Sequence, residues 1–421
     1  MPYFISGVTA DHNDLVARQP EEFASMNQVD VRTGHRVVSI EPDRRLVRVL
    51  DLDAGREFDA PYTKLLLATG ARAFVPPLEG VGLSGVFTLR RLADSIAVKE
   101  FVKARSPRRA LIVGAGPIGL EMCESFRTLG LEVTLVELTK QVAPFMDTDM
   151  ASKVQARLEE EGVNCILGEG LSGLEGDRQG SVRQAGVGSG KVSADLVLLA
   201  IGVRPENELA AAAGVELGAG QAIRVDGGMR TNLPDIFAAG DCATTTNTLT
   251  GKEVWIPLGS TSRKQGRIVA DAMFGSDTEF PGVQGTSVVK CFDLTIGRTG
   301  LNEREATEAG FKPVTVELEA ESLHPYYPGR GSMDLKLVAD SESGRVLGAQ
   351  VVGEMNSVAE KRLDILAVAI LAGMTAHELQ YLDLAYAPPY STAIDVPVIA
   401  GNLMASKIEG KGCSCSGEGL E

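Results

Sequence analysis

The amino-acid sequence predicts an α/β protein with a separate α+β region at its C-terminal end. Three observations support this prediction: a strand–glycine loop–helix–strand pattern at 109–138, an internal echo of one strand-and-turn element, and a change in character beyond Gly282. The chain has 421 residues, of which 44% are hydrophobic and 23% charged. It is therefore long enough for about two to three globular domains.

Charge and composition exclude several classes of function. The 41 basic and 56 acidic side chains leave a net charge of −15, and such a surface repels a nucleic-acid backbone. The longest apolar runs, 196–203 and 365–374, are about half as long as a membrane-spanning helix, and the first residues lack the features of a signal peptide. Six cysteines without a C-x-x-C pair and only four histidines predict no metal site. These features predict a protein of the reducing cytoplasm without membrane or nucleic-acid partners.

The first element in the argument is a strand–loop–helix unit. The apolar run 110–113 predicts a buried parallel strand, and Gly114, Gly116 and Gly119 follow it in G-x-G-x-x-G spacing before a helix. In a dinucleotide-binding unit the first glycine permits the tight turn, the second lets the backbone approach a pyrophosphate, and the third allows close helix–strand packing. The free N–H groups at the helix N-terminus then favour the negative charge of the ligand. A glycine turn without a ligand is the alternative interpretation.

The end of the next strand bears on the choice of nucleotide. Glu137 lies 18 residues after Gly119, where an acidic side chain accepts hydrogen bonds from a ribose 2′-hydroxyl and repels a 2′-phosphate. This position favours NADH over NADPH, although nearby Lys140 weakens the inference.

An internal echo predicts a second nucleotide-binding domain. The segments 65–72 and 197–204 each consist of an apolar strand, a glycine turn and an arginine, as expected for one element repeated in two related domains. In the second domain Gly114 precedes Gly202 by 88 residues. The same offset from Gly70 places the matching glycine loop roughly 18 residues before Met1.

A third landmark is an apolar run, 236–239, that ends in Gly240 and Asp241. Ligands of doubly wound sheets bind at this carboxyl edge of the strands. An ordinary turn with a capping aspartate is the alternative interpretation.

Beyond Gly282 the pattern is that of an α+β region. Two β-rich segments, 286–296 and 333–352, precede an apolar helix predicted at 359–373. The tail from Gly410 onward is rich in glycine and serine, which predicts disorder.

Together these landmarks resemble the flavin-dependent pyridine nucleotide–disulfide oxidoreductases. Within that family the sequence is most similar to the single-cysteine branch, which contains coenzyme A-disulfide reductases, NADH-dependent persulfide or polysulfide reductases and water-forming NADH oxidases. The resemblance extends from Met1 to about Asn402. It depends on these motifs: 72–77, the G-x-G-x-x-G-x-E run ending at Glu121, Gly240-Asp241, Lys264-Gln265-Gly266-Arg267, Gly300-Leu301-Asn302, 324–329 and 386–391.

The resemblance implies FAD and NADH as cofactors, a homodimer, and two related dinucleotide-binding domains followed by an α+β dimerisation domain. The expected boundaries are 1–106 for the first segment of the FAD domain without its N-terminal βαβ unit, 107–225 for the NADH domain, 226–284 for the second FAD segment, 285–409 for the dimerisation domain and 410–421 for a disordered tail.

The resemblance also assigns candidate site residues. The residues implied to contact the flavin nucleotide are Thr69, Gly70, Gly240 and Asp241. The residues implied to hold NADH are Gly114, Gly116, Gly119, Glu121 and Glu137, with Gly202 beside them. Tyr386, together with Tyr326 or Tyr327, matches tyrosines that reach the active site from the partner subunit in coenzyme A-disulfide reductases.

One departure from the family concerns the redox cysteine. The family reads Cys-Gly-Leu or Cys-Gly-Met directly before a Pro-Tyr pair, whereas this sequence begins with Met1 before Pro2 and Tyr3. The redox cysteine and the first glycine loop are therefore expected upstream of Met1, as after a misplaced start codon or in a fragment.

Other cysteines could replace the missing nucleophile. The six that are present are Cys123, Cys165, Cys242, Cys291, Cys413 and Cys415. For the first four, core packing is the favoured interpretation, because free cysteine is commonly a small buried apolar residue. The last two could exchange electrons or sulfur, or could be incidental residues of the tail. His324 could donate a proton, or could be an ordinary turn residue.

The function implied for the intact protein is transfer of hydride from NADH through FAD to a disulfide or persulfide, most closely coenzyme A disulfide. Tyr386 is the candidate phenol that protonates or positions the leaving thiolate, with interface packing as its alternative role. An NADH oxidase or peroxidase, whose cysteine cycles through sulfenic acid, is the second hypothesis. A truncated, non-catalytic NADH-binding dimer is the third.

Overall fold

The chain begins with short helices and a three-stranded antiparallel sheet. The structure, a computed structural model, describes residues 1–410. Its first elements are α1 (Pro2–Ser6), α2 (Pro20–Asn27), β1 (His35–Glu41), β2 (Leu46–Asp51), β3 (Arg56–Pro61), β4 (Leu65–Leu67) and β5 (Ala71–Ala73). Strands β1, β2 and β3 form the antiparallel sheet, and β4 and β5 flank the glycine turn at Gly70.

The middle of the chain forms a parallel-sheet domain around the glycine loop. Its elements are β6 (Val86–Thr88), α3 (Leu92–Arg105), β7 (Arg109–Val113), α4 (Pro117–Thr128), β8 (Glu132–Glu137), α5 (Thr148–Glu160), β9 (Val163–Leu167), β10 (Leu171–Gly176), β11 (Val182–Val187), β12 (Gly190–Ser193) and β13 (Leu196–Leu199). The parallel sheet has the strand order β6-β13-β7-β8-β9. Its central strands are apolar along their length, as strands buried on both faces are. Strands β10, β11 and β12 form a separate antiparallel sheet.

Two strand pairings join the start of the chain to the segment that follows the middle domain. That segment contains β14 (Val203–Pro205), α6 (Glu208–Ala212), β15 (Ile236–Ala238), β16 (Thr245–Thr246), β17 (Glu253–Val254) and α7 (Gly259–Met273). Strand β15 pairs in parallel with β4, and β14 pairs in antiparallel fashion with β5. Pairings thus cross the expected boundaries at 106 and 225, because β6 joins the middle sheet and β14 joins β5; the boundaries themselves stay predictions.

The C-terminal region is an α+β domain, as predicted. Its elements are β18 (Ser287–Cys291), β19 (Leu294–Gly300), α8 (Glu303–Glu308), β20 (Pro313–Glu321), β21 (Ser332–Asp340), β22 (Val346–Glu354), α9 (Ala359–Leu371), α10 (Ala376–Leu379) and α11 (Val396–Ile408). The antiparallel sheet has the order β18-β19-β22-β21-β20, and α9 and α11 pack against it around Leu335, Leu337 and Leu366. Apart from Gly410, the tail predicted to be disordered lies outside the described residues.

The middle and C-terminal domains share one hydrophobic core. Leu120 and Cys123 of α4 belong to the same buried cluster as Cys291, Leu294 and Ile296 of β18 and β19. The Glu124 carboxylate also forms an ion pair with Lys290 of β18. The helix that follows the glycine loop is therefore fixed directly against the C-terminal sheet.

A buried ammonium group reinforces the same interface. Lys336 of β21 is 4% exposed, and its Nζ lies 3.1 Å from Asp147, 2.5 Å from Asp149 and 3.5 Å from Glu303. Burial works against the ammonium charge, but the bonds to Asp149 and Asp147 outweigh it and raise the pKa of Lys336. The Gln350 side-chain amide adds a 2.6 Å donation to Asp147.

We expect Lys336→Ala to lower the free energy of unfolding by about 3 kcal/mol, near the lower end for breaking a buried ion pair because two of its carboxylates are partly solvated. Denaturant unfolding of the parent protein and the variant measures this difference in free energy. Lys312→Ala is the matched control: its pair with Glu342 is solvent-exposed, so the expected loss is under about 1 kcal/mol. Equal losses in both variants would contradict the interpretation.

Candidate active site and nucleotide-binding edges

The glycine loop has the geometry that its spacing predicts. Gly114 has φ +104°, and a Cβ there would lie 2.5 Å from the Ala200 carbonyl oxygen. A Cβ on Gly119 would lie 1.9 Å from the Gly114 carbonyl oxygen. At Gly116 a Cβ would meet no atom within 4 Å, so this backbone is open to an approaching ligand. Helix α4 begins here without a side-chain cap, which leaves its first N–H groups free for an anion.

Glu137 connects the end of β8 to this loop. Its side chain is 8% exposed; one carboxylate oxygen accepts from the Ala115 N–H at 2.8 Å and the other from the Thr139 N–H at 2.9 Å. The Thr139 hydroxyl also donates to this second oxygen at 3.1 Å. The oxygen that accepts from Ala115 therefore keeps the lone pair that can accept from a ribose hydroxyl. Leu138, the next residue, is 74% exposed and offers an apolar surface beside the loop. Nothing in the sequence pattern singled out Leu138.

Glu121 pairs with the first helix of the chain. The Tyr3 hydroxyl donates to the Glu121 carboxylate at 3.2 Å. Burial raises the pKa of the Glu121 carboxyl, and burial together with the Glu121 charge raises the pKa of Tyr3 to about 12. In addition, Ser125 Oγ donates to the Pro2 carbonyl at 3.2 Å. Helix α1 is thus attached to the helix that carries the glycine loop.

The expected flavin side also lies at the carboxyl end of parallel strands. Strands β4 and β15 run side by side, with Leu67 opposite Ala238, so the turns at Gly70 (φ +72°) and Gly240 (φ +88°) meet at one edge. Asp241 follows directly. Its position fits a carboxylate that accepts hydrogen bonds from a ligand at this edge.

Arg90 and Ser262 orient the Asp241 carboxylate, and neither was identified from the sequence. Arg90 Nη2 lies 2.5 Å from Asp241 Oδ2, and Ser262 Oγ donates to Oδ1 at 2.7 Å. The Trp255 indole N–H donates to the Asp241 carbonyl at 2.8 Å. Each carboxylate oxygen keeps lone-pair capacity for a ligand hydroxyl. Both edges therefore fit the dinucleotide cofactors that the resemblance implies.

The two nucleotide edges are joined by the ladder between β5 and β14. Strand β5 follows Gly70 and β14 follows Gly202, and the ladder pairs Ala73 with Val203. At one end the Gly70 carbonyl accepts from the Glu206 N–H at 2.9 Å; at the other the Gly202 carbonyl accepts from the Phe74 N–H at 3.0 Å. The Thr69 hydroxyl adds a 2.5 Å bond to the Glu206 carbonyl. The turn expected beside the flavin and the turn expected beside NADH are therefore joined through one short antiparallel ladder and lie at its opposite ends.

The candidate tyrosines lie on the surface of the C-terminal domain. Tyr386 is 49% and Tyr326 68% exposed, while Tyr327 is half-buried. The Tyr326 ring packs on His324 at a centroid distance of 4.3 Å, and the buried His324 Nδ1 has no hydrogen-bond partner among the described residues. Within one subunit, none of the described hydrogen bonds joins these tyrosines to the two nucleotide edges.

None of the described cysteines is exposed. Cys123, Cys242 and Cys291 are buried and Cys165 is half-buried, all as free thiols. Burial raises the pKa of Cys123 and of Cys291, and raises the pKa of Cys165 to about 11. The Cys242 thiol is engaged by the Leu67 and Ala239 carbonyls. Core packing, the favoured interpretation of these four, agrees with their burial, whereas Cys413 and Cys415 lie outside the described residues.

Residues 1–410 contain neither a membrane-spanning helix nor a group of side chains suited to a metal ion. No helix among residues 1–410 is long and apolar enough to cross a membrane. Within the same range, no cluster of three or more histidine, cysteine, aspartate or glutamate side chains is arranged to hold a metal ion.

Comparison with known proteins supports the family that the motifs indicate. The profile for "Pyridine nucleotide-disulphide oxidoreductase" matches residues 3–266, and the profile for the dimerisation domain of the same family matches residues 286–397. The chain is 34% identical over 412 residues to an NADH oxidase of Methanocaldococcus jannaschii, covering 98% of this chain and 90% of that one.

Two further relatives act on sulfur according to their names. A coenzyme A disulfide reductase of Staphylococcus aureus is 32% identical over 400 residues, covering 94% of this chain and 88% of that one. The solved structure of an NAD-dependent persulfide reductase from A. fulgidus superposes with a TM-score of 0.93 at 38% identity, covering 97% of this chain and 76% of that one.

We expect Gly116→Ala to raise the dissociation constant of NADH at least tenfold without changing thermal stability, because the new methyl group meets no protein atom but occupies the space through which a pyrophosphate approaches. Isothermal titration and a melting curve measure the two quantities. Gly82→Ala is the control, since a Cβ there also meets open space, and both quantities should stay as in the parent. Unchanged NADH affinity in Gly116→Ala would show that the nucleotide binds elsewhere.

Proposed function

Because this chain belongs to the pyridine nucleotide-disulphide oxidoreductase family, we propose that it passes hydride from NADH through FAD to a disulfide or persulfide of coenzyme A. The observation that carries the proposal is the β5–β14 ladder, which joins the Gly70 turn and the Gly202 turn through only three paired residues. Hydride transfer requires the two rings to lie in contact, and edges separated by a ladder about 10–14 Å long are close enough for two extended dinucleotides to meet between them. Two nucleotide edges without such a connection would not hold the two rings in contact.

The residues of the chain bind and orient the two cofactors. The 114–119 loop receives the NADH pyrophosphate, Glu137 accepts from the adenosine ribose, and Asp241, oriented by Arg90 and Ser262, accepts from the flavin nucleotide. Bound FAD supplies the redox chemistry by accepting hydride and passing electrons to sulfur. Gly70 and Gly202 keep the approach to both rings free of side chains.

The substrate assignment rests on the relatives and on the tyrosines. Proteins named for coenzyme A disulfide and for persulfide are similar to this chain over more than nine-tenths of its length. The exposed Tyr386 and Tyr326 stand on a domain that matches a dimerisation domain. In a homodimer these tyrosines would approach the active site of the partner subunit, where Tyr386 positions or protonates the leaving thiolate.

Reduction of dioxygen is the competing function, favoured by the similarity to an NADH oxidase. An absorption spectrum of the purified protein, before and after NADH, tests the common first step. A flavin band that bleaches with NADH, and recovers faster with coenzyme A disulfide than with air, supports the proposal. Recovery with air alone supports the oxidase, and a colourless protein that still binds NADH identifies a non-catalytic nucleotide-binding dimer.

We expect Tyr386→Phe to lower kcat with coenzyme A disulfide at least tenfold, since proton transfer by a positioned side chain contributes about 10²–10⁴-fold. Bleaching of the flavin by NADH should be unchanged, because that step precedes the leaving thiolate. Tyr381→Phe, at an exposed tyrosine on the same domain, is the control. Equal kcat values for both variants would leave Tyr386 with the interface-packing role alone.

We also expect Glu137→Gln to reduce the preference for NADH over NADPH at least tenfold, because the amide keeps the shape of the side chain but removes the charge that repels a 2′-phosphate. Steady-state kcat/KM with each nucleotide gives the ratio. Glu169→Gln, at an exposed carboxylate just past β9, should leave the ratio unchanged. A constant ratio in Glu137→Gln would assign the discrimination to another residue.

A further inference from the structure

A second cleft opens on the nucleotide-binding domain, at the edge opposite the glycine loop. It has a volume of ≈ 570 Å³, within the range of small-molecule sites. Arg109 at the start of β7 and Asp195 just before β13 line it, whereas Gly114 and Gly202 follow the other ends of these strands. The five residues of β7 place the cleft about 16 Å from the glycine loop.

The charge of the cleft is opposite to that of the chain. Its charged side chains are four arginines and two carboxylates, a balance of +2, in a protein whose net charge is −15. The six are Arg105, Arg108, Arg109, Arg183, Glu132 and Asp195. A local positive field on an acidic protein concentrates anions at that place.

Asp195 holds the guanidinium groups of Arg109 and Arg183 and the backbone N–H of Arg108. Its carboxylate lies 2.9 Å from Arg109 Nη2 and 3.4 Å from Arg183 Nη1, and it accepts from the Arg108 N–H at 3.2 Å. The Arg109 hydrogen bond, assisted by these N–H donors, lowers the pKa of Asp195 to about 2. The carboxylate is therefore charged at any physiological pH and holds the wall of the cleft in place.

The guanidinium groups of Arg105 and Arg108 remain free to bind a ligand. Among the described residues neither guanidinium forms a hydrogen bond or an ion pair, and both side chains are exposed. The helix dipole favours Arg105, which ends α3, but it does not account for Arg108 in the following loop or for Arg183 on β11. The helix dipole therefore accounts for only one of the arginines in the cleft.

We propose that this cleft binds a phosphorylated small molecule with a pyrophosphate or similar dianionic group. Two unpaired guanidinium groups offer the planar, bidentate donors that match phosphate oxygens, and their two charges balance such a dianion. The site is separate from the NADH loop and does not depend on the proposed reaction.

Isothermal titration with inorganic pyrophosphate tests the proposal, using protein saturated with NAD⁺ so that the glycine loop is occupied. We expect saturable binding that weakens at least tenfold in the double variant Arg105→Gln/Arg108→Gln and weakens with added salt. Arg304→Gln, at an exposed arginine on α8 of the C-terminal domain, should bind as the parent does. NADH affinity should be unchanged in both variants, which shows that they are folded.

Three results would overturn the proposal. The first is the absence of saturable pyrophosphate binding once NAD⁺ is bound. The second is equal pyrophosphate affinity in the double variant and the parent, because the ligand then binds elsewhere. The third is capture of an acidic protein segment by the arginines under conditions in which pyrophosphate does not compete, since the cleft would then be a protein-docking surface.

Discussion

The ladder between β5 and β14 is the contact on which the active-site geometry depends. Each strand has only three residues, yet the ladder joins the two nucleotide edges, because β5 begins directly after Gly70 and β14 directly after Gly202. The ion pair between Arg72 and Glu206 beside it is partly solvent-exposed and contributes little. The backbone hydrogen bonds at the two ends therefore carry the alignment of the two nucleotide edges.

A second constraint acts on the same domain from the other side. Helix α4 starts at the glycine loop and shares a buried core with Cys291 and Ile296 of the C-terminal sheet, so its N-terminus cannot rotate without opening that core. Interiors are packed as densely as organic crystals and do not deform continuously. The loop is thus held between the ladder and the C-terminal domain. We infer that the chemistry relies on a preformed arrangement of domains rather than on a hinge between them.

The sequence could predict the features that depend on local backbone geometry. Gly114 and Gly119 were predictable because a Cβ at either position would clash with a neighbouring carbonyl, which imposes fixed spacing. The echo of Gly70 and Gly202 was readable for another reason: both residues have positive φ, +72° and +97°, which favours glycine. The roles of Arg90 and Lys336 could not be predicted, because their partners lie far away in the chain and an isolated arginine or lysine has no periodic signature. The pairing of β6 with β13 could not be predicted either, since a run of three residues is too short to show the pattern of a strand.

Arg90 shows how the long-range contacts complete what the local pattern begins. It precedes α3, between a strand of the nucleotide sheet and that helix, yet its Nε donates to the Ala71 carbonyl at 3.0 Å while its Nη2 meets Asp241. One side chain therefore ties the first residue of β5 to the carboxylate at the end of β15. A guanidinium has five N–H donors in a rigid plane, so it can hold both groups in one geometry and compensate the Asp241 charge. The carboxylate keeps its remaining lone pairs for the flavin nucleotide, and its position is set by the same strand that aligns the NADH edge.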